Sequence, residues 1–364
     1  MKSLKNNYKS TIMNKTVRQY LAIILLGLLL FPFNNLKAGN EDRVGECGSQ
    51  ELLINPWARS SGWGGVGIAT TRGIEAMFTN VAGLAFTPRT ELVFAHTIWL
   101  KGSGVSINTF GLSQKVGQTG VIGISVMAMS FGNIQITTVD LPEGGMGTYT
   151  PSLMNINLSY SKMFSNSIYG GINIKVITQK ISNLSAQGFA IDAGIQYITG
   201  EKENIMFGIA LKNVGPRMKF KGDGLSFRGT IGSSANQLTV EQRSADFELP
   251  TTLNIGVAYD FIINDQHKIT LAGAFISNSF GKDQYIVGLE YKMMNYLFLR
   301  GGYAFEKGTF KKADRTNALT GLNAGVTVQV PINKKKGSSI GIDYSYRASD
   351  PFQGTHSFGA RINL

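Results

Sequence analysis

The sequence predicts an all-β fold, a transmembrane antiparallel barrel of about 14 strands, and three observations lead there. Segments of about ten residues alternate apolar and polar positions along most of the chain. A last alternating segment, Phe358, Ala360, Ile362 and Leu364, runs to the final residue, as a wall-closing strand does. The connections between segments sort by length according to parity.

In the alternating segments, Ile340, Ile342, Tyr344 and Tyr346 interleave with Gly341, Asp343, Ser345 and Arg347. Leu253, Ile255, Val257, Tyr259 and Phe261 do the same with Asn254, Gly256, Ala258 and Asp260, as do Met154, Ile156, Leu158 and Tyr160 with Asn155, Asn157, Ser159 and Ser161. A period of two puts each set on its own face of a strand. In a soluble sandwich the apolar face meets a core, and in a membrane barrel it meets lipid, so alternation alone fits both.

Segments of this kind lie near 91–99, 104–115, 120–131, 152–164, 167–179, 187–198, 204–214, 248–261, 267–277, 283–294, 296–303, 320–331, 338–347 and 354–364. Their even number suits a single-chain barrel. With the first strand running outward, the long connections near 132–151, 215–247 and 304–319 are the third, seventh and eleventh, all on one side. Even-numbered connections, such as Ser165-Asn166 or Ile262 to Gln266, are only a few residues. A sandwich has no reason to sort loops this way, whereas outer-membrane barrels keep periplasmic turns short and let outward loops grow.

Composition points the same way. Charged residues are 16% of the chain, against about a quarter in soluble proteins. The chain has 44 glycines and 9 prolines; glycine suits closely packed, curved strands and costs about 1 kcal/mol relative to alanine in a helix. A net charge of +12 raises nucleic acid as a partner. The excess sits instead in the basic start (Lys2, Lys5, Lys9, Lys15, Arg18) and in turns such as Lys311-Lys312 and Lys334-Lys335-Lys336. No basic stripe is interleaved with stacking aromatics, so no nucleic-acid partner is expected.

Residues 1–38 have the layout of a secretory signal: basic residues, the apolar run Leu21 to Phe33, and a small-residue exit at Leu36-Lys37-Ala38. Cleavage is expected after Ala38, with translation starting at Met1 or Met13. The apolar run is shorter than the roughly 20 residues a spanning helix needs. The one cysteine, Cys47, lies well past that run, which argues against a lipid anchor and allows no internal disulfide.

Residues 39–90 do not alternate. They contain Asn55-Pro56-Trp57-Ala58-Arg59, Gly62-Trp63-Gly64-Gly65-Val66-Gly67 and Asn80-Val81-Ala82-Gly83-Leu84. The glycine cluster matches G-x-G-x-x-G in form, but no strand-helix units follow it, so a dinucleotide site and any cofactor are discounted. This stretch resembles the opening of the PorV/PorQ family, a branch of FadL-like outer-membrane barrels. That opening has Ala-Arg, a Gly-Met-Gly-Gly stretch and an Asn-Pro-Ala-Gly-Leu element; here Trp63 replaces the methionine and Val81 the proline. The resemblance implies a fourteen-stranded barrel with 39–90 folded into the lumen as a hatch, carried by Asn55, Pro56, Ala58, Arg59, Gly62, Gly64, Gly65, Gly67, Asn80 and Gly83, and residues 91–364 as the barrel. It also implies a paralogue of PorV acting in type IX protein secretion, with a translocon barrel and secreted cargo as partners. FadL-like relatives instead pass hydrophobic small molecules, which is the alternative.

No catalytic constellation is visible. His96, His267 and His356 each lie at or near a strand end, and no Ser-His-Asp order with a nucleophile elbow occurs. One cysteine makes no metal cluster. Trp99, Tyr149, Tyr160, Tyr169, Tyr197, Tyr296 and Tyr303 read as girdles at the two membrane interfaces. Asp192, Asp260, Glu290, Arg300, Asp343 and Arg347 fall where they could face the lumen and pair with one another. Loops of such length are usually functional or disordered. The loop charges Asp140, Glu143, Lys219, Lys221, Asp223, Arg228, Glu241 and Arg243 are therefore the candidate contacts for a partner.

Overall fold

A computed structural model describes residues 39–230, 237–333 and 337–364. The expected signal segment and Lys334-Lys335-Lys336 lie outside the described residues. Fourteen strands form one closed antiparallel wall: β1 (Thr90–Trp99), β2 (Val105–Val116), β3 (Gly120–Ser130), β4 (Ser152–Met163), β5 (Ile168–Ile181), β6 (Leu184–Thr199), β7 (Ile205–Val214), β8 (Thr252–Ile262), β9 (His267–Asn278), β10 (Gln284–Met293), β11 (Leu297–Glu306), β12 (Leu319–Asn333), β13 (Ser338–Ser349) and β14 (Thr355–Asn363). Each pairs with the next in sequence, and β1 pairs with β14 from Glu91↔Asn363 to Ile98↔His356, which removes every free edge.

The expected strand starting at 187 begins at Leu184, because the stretch Met218–Lys221 folds back and pairs Phe220 with Ala186 and Lys221 with Ser185. The strand expected from 248 begins at Thr252. Residues 248–250 bond elsewhere: the Glu248 carbonyl accepts from the Gly48 amide, and the Pro250 carbonyl from Asn213 Nδ2. The strand expected to stop at 303 continues to Glu306. The long connections are 131–151, 215–251 and 307–318, all on one rim, while turns such as 117–119, 164–167 and 294–296 define a short-turn rim.

The two faces of the wall carry opposite chemistry. Ile342 (68% exposed), Val287 (59%) and Ile195 (58%) point outward, where a solvent of water would penalise them and lipid does not. Their neighbours Asp343 and Gln196 point inward and are each 1% exposed. Around the short-turn rim, Tyr160, Phe164, Tyr197, Tyr259, Phe261 and Tyr296 are exposed on the outside as an interfacial girdle. Trp99 and Tyr169 do not join it: their strand parity turns both inward, Trp99 beside Ile107 and Tyr169 against Phe86. No helix among the described residues is long and apolar enough to cross a membrane. The spanning elements are the strands, in a barrel of the outer-membrane type.

Candidate functional site

The lumen is filled by residues 39–89, whose short helices Ala58–Ser61, Ala76–Thr79 and Val81–Phe86 are buried against inward wall positions. Close approach comes from paired glycines. A Cβ on Gly62 would lie 2.8 Å from Gly325 Cα of β12, so helix and wall touch backbone to backbone there. Gly64 and Gly65 carry φ of 78° and 83°, a left-handed pair that turns the chain between Trp63 and Val66.

Asn80 opens the last helix, its Oδ1 accepting from the Ala82 amide at 3.2 Å and its Nδ2 donating to the Ile68 and Ile195 carbonyls at 3.0 Å each. One side chain thus caps a helix and ties two stretches of the lumenal segment to β6. Val81 in place of proline leaves this start intact, because the first-turn amides of a helix lack internal partners whichever residue stands there. Asn55 Oδ1 accepts from the Trp57 amide at 3.0 Å and its Nδ2 donates to Ser60 Oγ at 3.0 Å. The Pro56 carbonyl accepts from Thr97 Oγ1 of β1 at 3.5 Å. Gly67 and Gly83 act through carbonyls that accept from the amides of Thr71 (2.8 Å) and Gly73 (3.0 Å).

Charge gathers toward the short-turn rim. Arg361 of β14 sits among three carboxylates: it contacts Glu75 of the lumenal segment, Asp343 at 3.2 Å and Glu91 at 3.3 Å, all nearly inaccessible. Glu75 Oε2 also accepts the Ser60 amide at 2.8 Å, and Glu91 Oε2 the Ile74 amide at 2.7 Å. Farther round the wall, Arg300 Nε meets Glu290 at 2.5 Å and Lys268 meets Asp260 at 2.6 Å. At mid-wall Lys175 meets Asp192 at 2.7 Å. Arg347 forms no ion pair: it stacks 5.0 Å from the Trp99 ring, and its Nε and Nη2 have no partner among the described residues.

A cavity of about 190 Å³ remains between the lumenal segment and the wall of β8–β11. Arg59, Trp63, Thr70, Thr71, Arg72 and Glu75 line it from inside; Asp260, Lys268, Thr270, Glu290, Lys292, Phe298 and Arg300 from the wall, with Met206 of β7. Lys268 and Lys292 face each other directly across β9 and β10. Burial, and the neighbouring Arg361 and Arg300 guanidiniums, push Arg59 down to about 10. Of this set, Arg59, Asp260, Glu290 and Arg300 stood out in the sequence. Lys268 and Lys292 share the inward parity that marks them, and Arg72 and Glu75 carried no comparable signal.

Toward the long loops, apolar groups pack beside buried polar side chains such as Glu51, Gln179 and Arg347. Ile107, Met127 and Met129 pack with Ile54, Trp99, Phe131 and Leu153. Leu52, Ile177, Ala186, Ala190, Met218 and Leu249 form a second group. The loop charges are not brought together: Asp140, Glu143, Lys221, Asp223, Arg228, Glu241 and Arg243 are exposed along two loops. Lys219 lies 4.0 Å from Asp246. The three histidines bond to strand neighbours or cross-strand partners far apart, His96 to Asn108, His267 to Tyr291 and His356 to Tyr344.

No family model matches the chain, and no curated protein matches it. Among solved structures, a monoaromatic hydrocarbon channel, CymD, superposes with a TM-score of 0.54 at 12% identity, covering 85% of this chain and 97% of that one. The Pseudomonas putida toluene transporter TodX gives 0.52 at 13%, and the Ralstonia pickettii toluene transporter TbuX 0.51 at 14%, with the same coverage. At this identity the likeness is one of fold.

Proposed function

We propose that the chain is an outer-membrane passage for small hydrophobic molecules, acting by binding and release without covalent chemistry. The observation that carries this reading is the lumen itself. Apolar side chains fill inward wall positions under the long loops, and a separate cavity, with Trp63, Met206 and Phe298 in its lining, lies between the lumenal segment and β8–β11. The shared fold with hydrocarbon channels over 85% of the chain supports it. A solute must displace the lumenal segment or slip past it. Ser61 Oγ lies 2.8 Å from Ser345 Oγ of β13, so a cysteine at each would lock segment to wall. Cells lacking the chain should take up a labelled monoaromatic hydrocarbon more slowly than cells containing it. The S61C/S345C form should match the deletion until reduced; uptake independent of the chain would end this reading.

A second reading is favoured by one loop. The connection 131–151 exposes Ile134, Ile136, Leu141, Met146 and Val139, the last at 98%, and exposed apolar clusters mark partner surfaces. With the PorV/PorQ-like opening, this supports docking of secreted cargo or a translocon barrel. Recovery of such proteins with the chain from gently solubilised membranes would favour it over passage.

A further inference from the structure

The cavity beside β8–β11 holds more positive charge than its own carboxylates satisfy. Asp260 is taken by Lys268 and by Thr270 Oγ1, each at 2.6 Å, Glu290 by Arg300, and Glu75 by Arg361 and the Ser60 amide. Arg59 and Lys292 form no ion pair among the described residues. Arg300, its side chain 1% exposed, leaves Nη2 without a partner although Nε and Nη1 are bonded. The Thr70 and Thr71 hydroxyls are buried there and also unpartnered. Buried donors and cations normally find acceptors, and several left open around one cavity make it receptive to an anion.

The walls restrict what that ligand is. Arg59 and Arg300 stand 5.3 and 5.5 Å from the Phe298 ring centroid, so two guanidiniums gather at one aromatic ring. Trp63 and Met206 add apolar surface. A planar guanidinium fork matches a carboxylate through two parallel hydrogen bonds. The volume of about 190 Å³ is below the range of drug-sized sites, about 300–1,000 Å³. We infer that this cavity is a binding site for a small carboxylate with an apolar body, an aromatic acid of benzoate size, held by Arg59, Lys292 and the free edge of Arg300. A neutral hydrocarbon would leave these donors open, and inorganic phosphate would leave Phe298 and Trp63 without contact. As a statement about what is carried, the inference rests on the passage reading.

Titration calorimetry of the full chain in a non-ionic detergent, with benzoate, benzamide and phosphate in turn, tests it. Benzoate should bind at least tenfold more tightly than benzamide or phosphate. Lys292→Gln and Arg59→Gln should each weaken benzoate about tenfold, the value of one charged hydrogen bond. Each should leave the unfolding midpoint unchanged or raised, because removing an unpaired cation relieves repulsion; a cation serving only the fold would lower it. Equal binding of benzoate and benzamide, preference for phosphate, or no binding would overturn the inference. Hydrocarbon uptake by cells could still depend on the chain in each of those cases, so the two readings fail separately.

Discussion

Two regions of the lumen are built from the same inward strand positions, yet one gathers mainly apolar side chains and the other an ion-paired cluster. Toward the long loops, Ile107, Met127, Met129 and Ile177 face inward and are covered by Leu52 and Ile54 from the lumenal segment and Met218 from the folded-back loop. Toward the short turns, Arg361, Arg300, Asp260 and Lys268 face inward onto helices that carry Glu75 and Arg59. Inward parity fixes only that a residue leaves lipid. Whether it is apolar or charged follows from what covers it: Leu52, Ile54 and Met218 cover the apolar group, and Glu75 brings a counter-charge to Arg361.

That contrast is most exposed to failure at Arg361. Arg361→Met leaves Glu75, Glu91 and Asp343 buried without their common cation, and should cost about 3–5 kcal/mol. Urea unfolding in lipid vesicles at neutral pH reads this, and an unshifted midpoint would mean that the ion-paired cluster does not hold the lumenal segment. The outer face sharpens the inner one. Ile342→Arg, one residue from Asp343 and 68% exposed, should cost about 2–4 kcal/mol near mid-membrane, seen as a reduced folded fraction on insertion; normal insertion would reverse the assigned faces.

Smaller effects test the joint between segment and wall. Asn80→Ala removes the bonds to the Ile195 carbonyl and the Ala82 amide, while the Ile68 carbonyl keeps Gln196 Nε2 at 3.0 Å; it should cost about 1–3 kcal/mol, with faster hydrogen exchange across Val81–Phe86 as the local sign. Unchanged exchange there would remove Asn80 as the tie to β6. Lys219→Ala should have the least effect, below about 1 kcal/mol, since the pair with Asp246 spans 4.0 Å and both side chains are well exposed. A larger loss would show that the seventh connection is a structural part of the barrel.

Strand alternation, the count of fourteen and the sorting of loop lengths were legible because lipid on one face and a crowded lumen on the other impose a period of two along every strand. Strand ends were less so. The starts at Leu184 and Thr252 depend on Phe220 reaching Ala186 and on Glu248 reaching Gly48, contacts between residues far apart in the chain. The inward orientation of Asp260, Glu290, Arg300 and Asp343 followed from parity, but their partners did not. Arg361 meets Glu75 across 286 positions, and nothing local marks either residue as the other's counter-ion. Trp99 and Tyr169 sit near strand ends like girdle residues, and only their facing separates them from Tyr160 and Tyr197.

The sequence by itself determined the wall, since a repeating solvent boundary writes a repeating pattern into residues that are neighbours in the chain. Tertiary structure alone decided the contents of the lumen: the covered apolar groups, the Arg361 cluster and the cationic cavity at β8–β11. Those depend on the non-repeating segment 39–89 meeting strands up to the end of the chain, and contacts at such separation obey no period that a sequence displays.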